Sequence, residues 1–285
     1  MGKPWDGKQF WIWELDQCSG GDVGAIVAAA KSAGLSGLIV KAWDGSNYWS
    51  QIERIVGPAR KAGLAVGAWG YSYGQNIQGE AGAMQRAVAA GPDWLVIDAE
   101  IEYESATGRA AATALFDALE AASLSNCLLA YTTFALPEYH PQFPYDLFSR
   151  HCQVALPQVY WGDMGMAPDA ALKRCLSAHA GYGLPVAPVG QSYGAVTQAE
   201  ILTFGNIAES SRVPGISFWS WQHATGAMCE AIKTIPLGDR DSHVSDWARA
   251  AWEKAVNRGV FDGTQPQGTV TREMLAVVLD SLKLL

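Results

Sequence analysis

Charge is scarce in this chain: 17% of its 285 residues are Asp, Glu, Lys or Arg, with a net balance of −8. No block of Lys and Arg occurs. This argues against nucleic acid or an anionic membrane surface as the main partner, since both demand basic patches. No Walker-type loop and no GxGxxG is present, so nucleotide chemistry finds no cradle. The five cysteines (Cys18, Cys127, Cys152, Cys175 and Cys229) are odd in number and lack CxxC or Cys/His spacing. They suit neither a zinc site nor a disulfide framework, and read as buried thiols of a protein made in a reducing cytosol. His140, His151, His179, His223 and His243 show no HxxxH spacing and read as surface or core residues, so neither metal nor organic cofactor is expected. No apolar run approaches membrane-spanning length, and MGKPWDGKQFWIW lacks an apolar signal core. The expectation is a soluble product made in the cytosol.

What is present is a large apolar fraction, 49%, with twelve Trp and ten Tyr. Most of these rings belong in a core, but in a domain with a cleft an excess of aromatics also provides ring-stacking surfaces. Short β-like runs alternate with Ala-rich helical stretches eight times. The β runs are Phe10–Leu15, Gly37–Ala42, Ala65–Tyr71, Trp94–Ala99, Cys127–Thr132, Val154–Tyr160, Pro185–Val189 and Gly215–Trp221. Ala-Gly pairs such as Ala33-Gly34 and Ala62-Gly63 mark helix ends. Eight β-then-α units ending near residue 235 match an α/β fold of the (β/α)8 TIM-barrel type. A doubly wound sheet would bring a glycine-rich turn after its first strand, and none is there. The domain reading is a barrel over 1–236, a linker over 237–243 and a small helical module over 244–285. In the module, a helix near Ser245–Arg258 precedes a Gly-rich loop and a second helix starting at Thr271.

A barrel carries its active groups at the C-terminal ends of its strands. There the sequence offers Glu14 and Asp16, Lys41, Tyr71, Asp98 and Glu100, and Tyr131. It continues with Gln158, Tyr160 and Trp161, then Gln191, and finally Trp219, Trp221 and Gln222. The stretch PDWLVIDAEIEYE (Pro92–Glu104) stands out, since an apolar run delivers Asp98 and Glu100 onto one face of a strand. Acids and amides ringed by aromatics describe a carbohydrate cleft. Glycosidic hydrolysis needs a proton for the leaving oxygen and a second carboxylate at the sugar carbon. Glu100 is the candidate acid, its pKa raised by the charge of Asp98. Asp98 would stabilise the oxocarbenium ion or orient an N-acetyl group, and Asp16 would complete the cluster. Glu102 and Glu104 read as solvated loop charges. The competing reading is an ion-pair network of these acids with Lys41 and arginines.

Asp98-Ala99-Glu100 resembles the DxE signature of family 25 glycoside hydrolases, the Chalaropsis-type lysozymes. Val66–Tyr71 is similar to that family's third strand and Trp221-Gln222 to its closing Trp-Gln pair. The resemblance implies Glu100 as acid, Asp98 as its partner and Asp16 as the first-strand aspartate, while Gln158 and Tyr160 depart from the sixth-strand pattern. In the tail, Val244-Ser245-Asp246-Trp247-Ala248, Asp262-Gly263 and Thr271–Met274 resemble one S-layer homology motif. Such motifs come in threes and bind secondary wall polymers. This implies Trp247 and Arg272 as polymer contacts and a homotrimer supplying three motifs. Together these expectations describe a peptidoglycan hydrolase, an endolysin or virion-associated lysin of muramidase type acting at the bacterial cell wall. The alternatives are a glycan-binding or structural protein that has lost catalysis, and a glycosidase for another polysaccharide.

Overall fold

In the computed structural model, which describes residues 2–237, 248–258, 260 and 272–281, eight parallel strands close into a barrel. They are β1 (Gly7–Ile12), β2 (Gly37–Asp44), β4 (Ala65–Ser72), β5 (Trp94–Ala99), β6 (Leu129–Phe134), β7 (Val154–Val159), β8 (Val189–Gln191) and β9 (Gly215–Trp219). Each pairs with its neighbour in order, and β1 bonds to both β2 and β9, which closes the ring. The two-residue β3 (Asn47–Tyr48) folds back antiparallel on the end of β2. Helices α1 (Val23–Ser32), α2 (Gln51–Lys61), α3 (Ile77–Ala89), α4 (Gly108–Ala121), α5 (Tyr145–His151), α6 (Pro168–His179), α7 (Gln198–Ser210) and α8 (Gly226–Thr234) follow the barrel strands in turn. The Ala-Gly pairs do close α1, α2 and α3, with Gly34, Gly63 and Gly91 in left-handed backbone. The chain divides into two compact units, 1–237 and 238–285. In the second, α9 spans Arg249–Asn257 and α10 spans Arg272–Ser281.

The first strand lies three residues earlier than the apolar run suggests. Lys8 and Gln9 made its start look like loop, yet both are buried. Lys8 Nζ donates to the carbonyls of Ile232 and Lys233 at 3.0 and 2.9 Å, and burial lowers its pKa to about 8. Gln9 Nε2 donates to the Pro4 carbonyl at 2.5 Å. A polar side chain with a fixed buried partner reads as loop in a one-dimensional pattern.

Alternation along the strands sorts the apolar residues into two cores. Trp5, Trp11, Ile39, Trp69, Trp94, Val96, Leu156 and Val189 pack inside the barrel, with Tyr160 and Trp219 against them. Leu38, Val40, Leu95, Ile97, Tyr131, Phe148 and Phe218 belong to the outer core between sheet and helices. Tryptophans therefore fill the barrel. Their rings meet at 5.9 Å (Trp5–Trp94), 5.4 Å (Trp11–Trp69) and 5.1 Å (Trp69–Trp219). Buried indole N–H groups need acceptors. Trp11 Nε1 finds Ser217 Oγ at 2.8 Å and Trp69 Nε1 the Ile12 carbonyl at 3.0 Å. Gly67 makes room for this filling, because a Cβ there would stand 2.7 Å from Trp94 Nε1.

Candidate functional site

Strand β5 presents Trp94, Val96 and Asp98 to the interior and Leu95, Ile97 and Ala99 to the helices. Register sets the height of each group. Asp98 is level with Tyr71 of β4 and Thr132 of β6, and two residues further up Phe134 of β6 is level with Gln158 of β7. Gln158 therefore reaches the same layer as Glu100, the residue just past β5. Gln158 Nε2 donates to Glu100 Oε1 at 2.8 Å and approaches Asp98 Oδ1 at 3.2 Å. One amide nitrogen thus gathers both carboxyls. Asp98 is buried and Glu100 half-buried. Burial drives the Asp98 pKa well above the ordinary carboxylate range; the charge of Glu100 and a hydrogen bond between the two carboxyls push the same way, against the charge of Lys41. The carboxyl whose pKa burial raises is thus Asp98, which lies one layer deeper in the barrel than Glu100.

The walls differ on the two sides of this pair. Towards β1, β4 and β9 they are aromatic. Trp13 is stacked on Trp219 with centroids 6.3 Å apart, and Tyr71 leans on Tyr73 at 4.8 Å. The Tyr71 hydroxyl donates to Glu102 Oε2 at 2.7 Å, so Glu102 belongs to the mouth and is no free loop charge. Glu104 is likewise engaged, bonded to His140 Nδ1 at 2.5 Å, while the His140 ring lies parallel on Phe134 at 3.5 Å. Towards β6 and β7 a cleft of about 620 Å³ opens beside Glu100. It is lined by Phe134, His140, Gln158, Tyr160, Met164 and Met166 among others. Burial, with the charge of Asp98, raises the Tyr160 pKa far above its ordinary value, which keeps the hydroxyl a donor. Among the described residues, no group of three or more His, Cys, Asp or Glu is arranged to hold a metal ion.

The fold has many solved relatives in shape. The GH18 chitinase ChiB of Flavobacterium johnsoniae superposes with a TM-score of 0.60 at 9% identity, covering 82% of this chain and 94% of that one. An endo-β-1,4-mannanase from Thermotoga petrophila gives 0.57 at 9%, covering 81% and 76%. The spore cortex-lytic enzyme SleL of Bacillus megaterium QM B1551 gives 0.58 at 8%, covering 81% and 74%. No family model and no curated protein matches the sequence. At such identities the likeness establishes the barrel.

Of the residues read from the sequence, the structure brings Asp98, Glu100, Tyr71, Gln158, Tyr160 and Trp219 to the mouth, and it takes others away. Asp16 lies past the strand in a short 3-10 turn, exposed and ion-paired with Arg54 at 2.6 Å, so it does not join the acids. Glu14 sits at the start of the same turn and accepts from Gln17 Nε2 at 2.5 Å. Tyr131 and Trp161 are fully buried in the outer core, Tyr131 against Ser149 Oγ at 2.9 Å and Trp161 against Phe204. Trp221 packs on Phe10 at 5.1 Å. Gln222 accepts from the backbone N–H of Trp13 at 3.1 Å, and buried Gln191 accepts from that of Gly162 at 2.8 Å; both tie loops together. Lys41 is 4% exposed and is no surface contact. Trp247 and the Arg272 side chain lie outside the described residues. The sequence reading missed Trp13, Phe134, His140, Asp163, Met164 and Met166. Counting in twos from Ala130 would have found Phe134 and rejected Tyr131, since the inward series of β6 is Ala130, Thr132, Phe134.

Proposed function

We propose that the chain is a glycoside hydrolase cleaving β-linked polysaccharides of N-acetylated sugars, peptidoglycan foremost. The gathering of Asp98 and Glu100 by one Gln158 nitrogen at the edge of an open cleft carries this reading. Two carboxyls bonded to one amide nitrogen, at 3.2 and 2.8 Å, stand too close for the intervening water of an inverting reaction, which needs them about 6.5–9.5 Å apart. Both rise from the end of β5, side by side rather than across the cleft from one another, where a carboxylate nucleophile would stand opposite the acid. Substrate assistance, the route that family 18 and 20 enzymes follow, suits such a pair. Glu100, open to the cleft, delivers the proton to the leaving oxygen as the glycosidic bond breaks. The acetamido oxygen of the substrate closes onto the anomeric carbon, its N–H oriented by Asp98. Water, giving its proton to Glu100, then opens the cyclic intermediate. Chitinases and a cortex-lytic enzyme among the proteins of similar fold support the reading, as does the DxE signature resembling family 25 lysozymes.

Within peptidoglycan, the bond after N-acetylmuramic acid is the one proposed. The tail that resembles an S-layer homology motif is proposed to hold the enzyme to the wall. The test is release of reducing ends from purified walls and from N-acetylated oligosaccharides by wild type and by Glu100→Gln. Reduction of the products with borohydride identifies the bond, muramitol marking the proposed one. Lysis that survives Glu100→Gln removes the mechanism. Wall binding without product release by either protein replaces it with a glycan-binding role.

A further inference from the structure

Strand β2 carries a buried cation that the scheme above leaves unused. Lys41 points into the barrel two strands from Asp98, with β4 between them. Its Nζ lies over the rings of Trp49, Trp69 and Trp13 at 4.7, 5.0 and 5.7 Å and bonds Asp44 Oδ2 at 2.5 Å. Asp44 Oδ1 in turn accepts from the Tyr73 hydroxyl at 2.9 Å. The ring faces favour the ammonium and block water from it, so its field is poorly screened inside the barrel. Asp44 is the more exposed partner, with 28% of its side chain open against 5% for Lys41. Water therefore screens the carboxylate more than the ammonium, and a net positive field is left on the barrel side.

That field falls on Asp98. From its own strand and the turn after it, Asp98 faces Glu100 and Glu102. From β4 it faces Tyr71, whose proton is committed to Glu102. From β6 it faces Thr132, whose hydroxyl is committed to the Leu156 carbonyl. From β7 it faces Gln158 and Tyr160. Among the charges acting most strongly on Asp98, those of Glu100 and Glu102 are negative and that of Lys41 is positive. We propose that Lys41 is a positioning residue acting through Asp98: it supplies the positive charge that decides when this enclosed carboxyl gives up its proton, and Asp44 limits how much of that charge arrives. The catalytic consequence rests on the glycosidase reading; the charge coupling does not.

The two halves of the pair must act with opposite signs. The experiment is a carboxyl-carbon NMR titration of the full chain labelled at aspartate, with the Asp98 signal assigned by its loss in Asp98→Asn. Lys41→Met keeps most of the apolar stem in the aromatic box and should move the Asp98 midpoint up by about one pH unit. Asp44→Asn leaves the ammonium unopposed and should move it down, while Lys41→Arg should leave it near wild type. Should Lys41→Met fail to fold, the direction in Asp44→Asn decides. No movement in the folded variants, or movement of both in one direction, overturns the proposal. Titration needs no substrate, so a wild type that releases no reducing ends ends the glycosidase reading while leaving this coupling to stand or fall alone.

Discussion

Gln158 donates a hydrogen bond to Glu100 at 2.8 Å, reaching from β7 to the end of β5 across the whole width of β6. The same nitrogen approaches Asp98, so one amide orients both acids. Gln158→Met preserves length and removes that donor. A hydrogen bond to a charged group contributes about 1.5–3 kcal/mol. The variant should therefore lose about tenfold to a hundredfold in kcat on an N-acetylated substrate, with KM changed far less. An unchanged kcat would mean that the amide orients nothing that matters to the reaction.

Glu100→Gln should lower hydrolysis by about 10²–10⁴-fold, the contribution of a positioned acid. Because Glu100 is half-buried at the cleft, its thermal unfolding midpoint should stay near wild type. A low rate accompanied by a collapsed midpoint would instead mark Glu100 as a structural residue.

Asp98→Asn should show the reverse balance, less activity and more stability. Burial raises the Asp98 pKa in the folded chain, so the fold binds the proton more tightly than the unfolded chain does. The associated stability is complete below the unfolded value near 4 and is lost as pH rises through the raised folded value. An uncharged Asn escapes that loss. Its advantage in unfolding midpoint should be small at pH 4 and grow to about 2 °C or more at pH 8. A gain that does not change with pH would contradict the buried-carboxyl account.

The barrel was legible because eight apolar runs kept their order and spacing, and Asp98 with Glu100 because an apolar run led straight into them. Errors arose where one dimension carries no sign of direction. Tyr131 and Trp161 each neighbour an inward residue, Thr132 and Tyr160, and differ from it only in parity. Asp16 looked like a strand end because the polar start of β1 hid the true boundary at Ile12. Met164, Met166 and His140 sit on loops, where no period exists to count. Their approach to Glu100 is set by α5 and α6 packing against the sheet, a relation between distant segments.

His179 gives a prediction in acid. It is 1% exposed behind the β6–α5 loop, near Tyr145 and Tyr182, and burial lowers its pKa to about 4. The unfolded chain, with the ordinary value near 6.5, therefore binds more protons between those limits. Stability is complete above about 6.5 and falls as pH drops towards 4, by about 3 kcal/mol from this group. His179→Phe should flatten the fall in urea midpoint over that window. A slope equal to wild type would show that other groups cause the acid sensitivity.

Gly67→Ala should destabilise the barrel by about 1–3 kcal/mol, since the added methyl meets Trp94 at 2.7 Å and the interior is already filled. Urea unfolding measures it, and a neutral result would mean that the indole has room to shift.

The tryptophan filling has an optical consequence. Indoles in van der Waals contact couple their transitions, and the chain Trp11–Trp69–Trp219 extends from the closed interior to the mouth, where Trp13 stacks on its last member. Near-ultraviolet circular dichroism of this protein should thus carry the signature of the assembled barrel, vanishing with it on unfolding. A sugar laid against Trp219 would perturb the whole coupled set, so the barrel supplies its own chromophore for ligand binding, without dye or label.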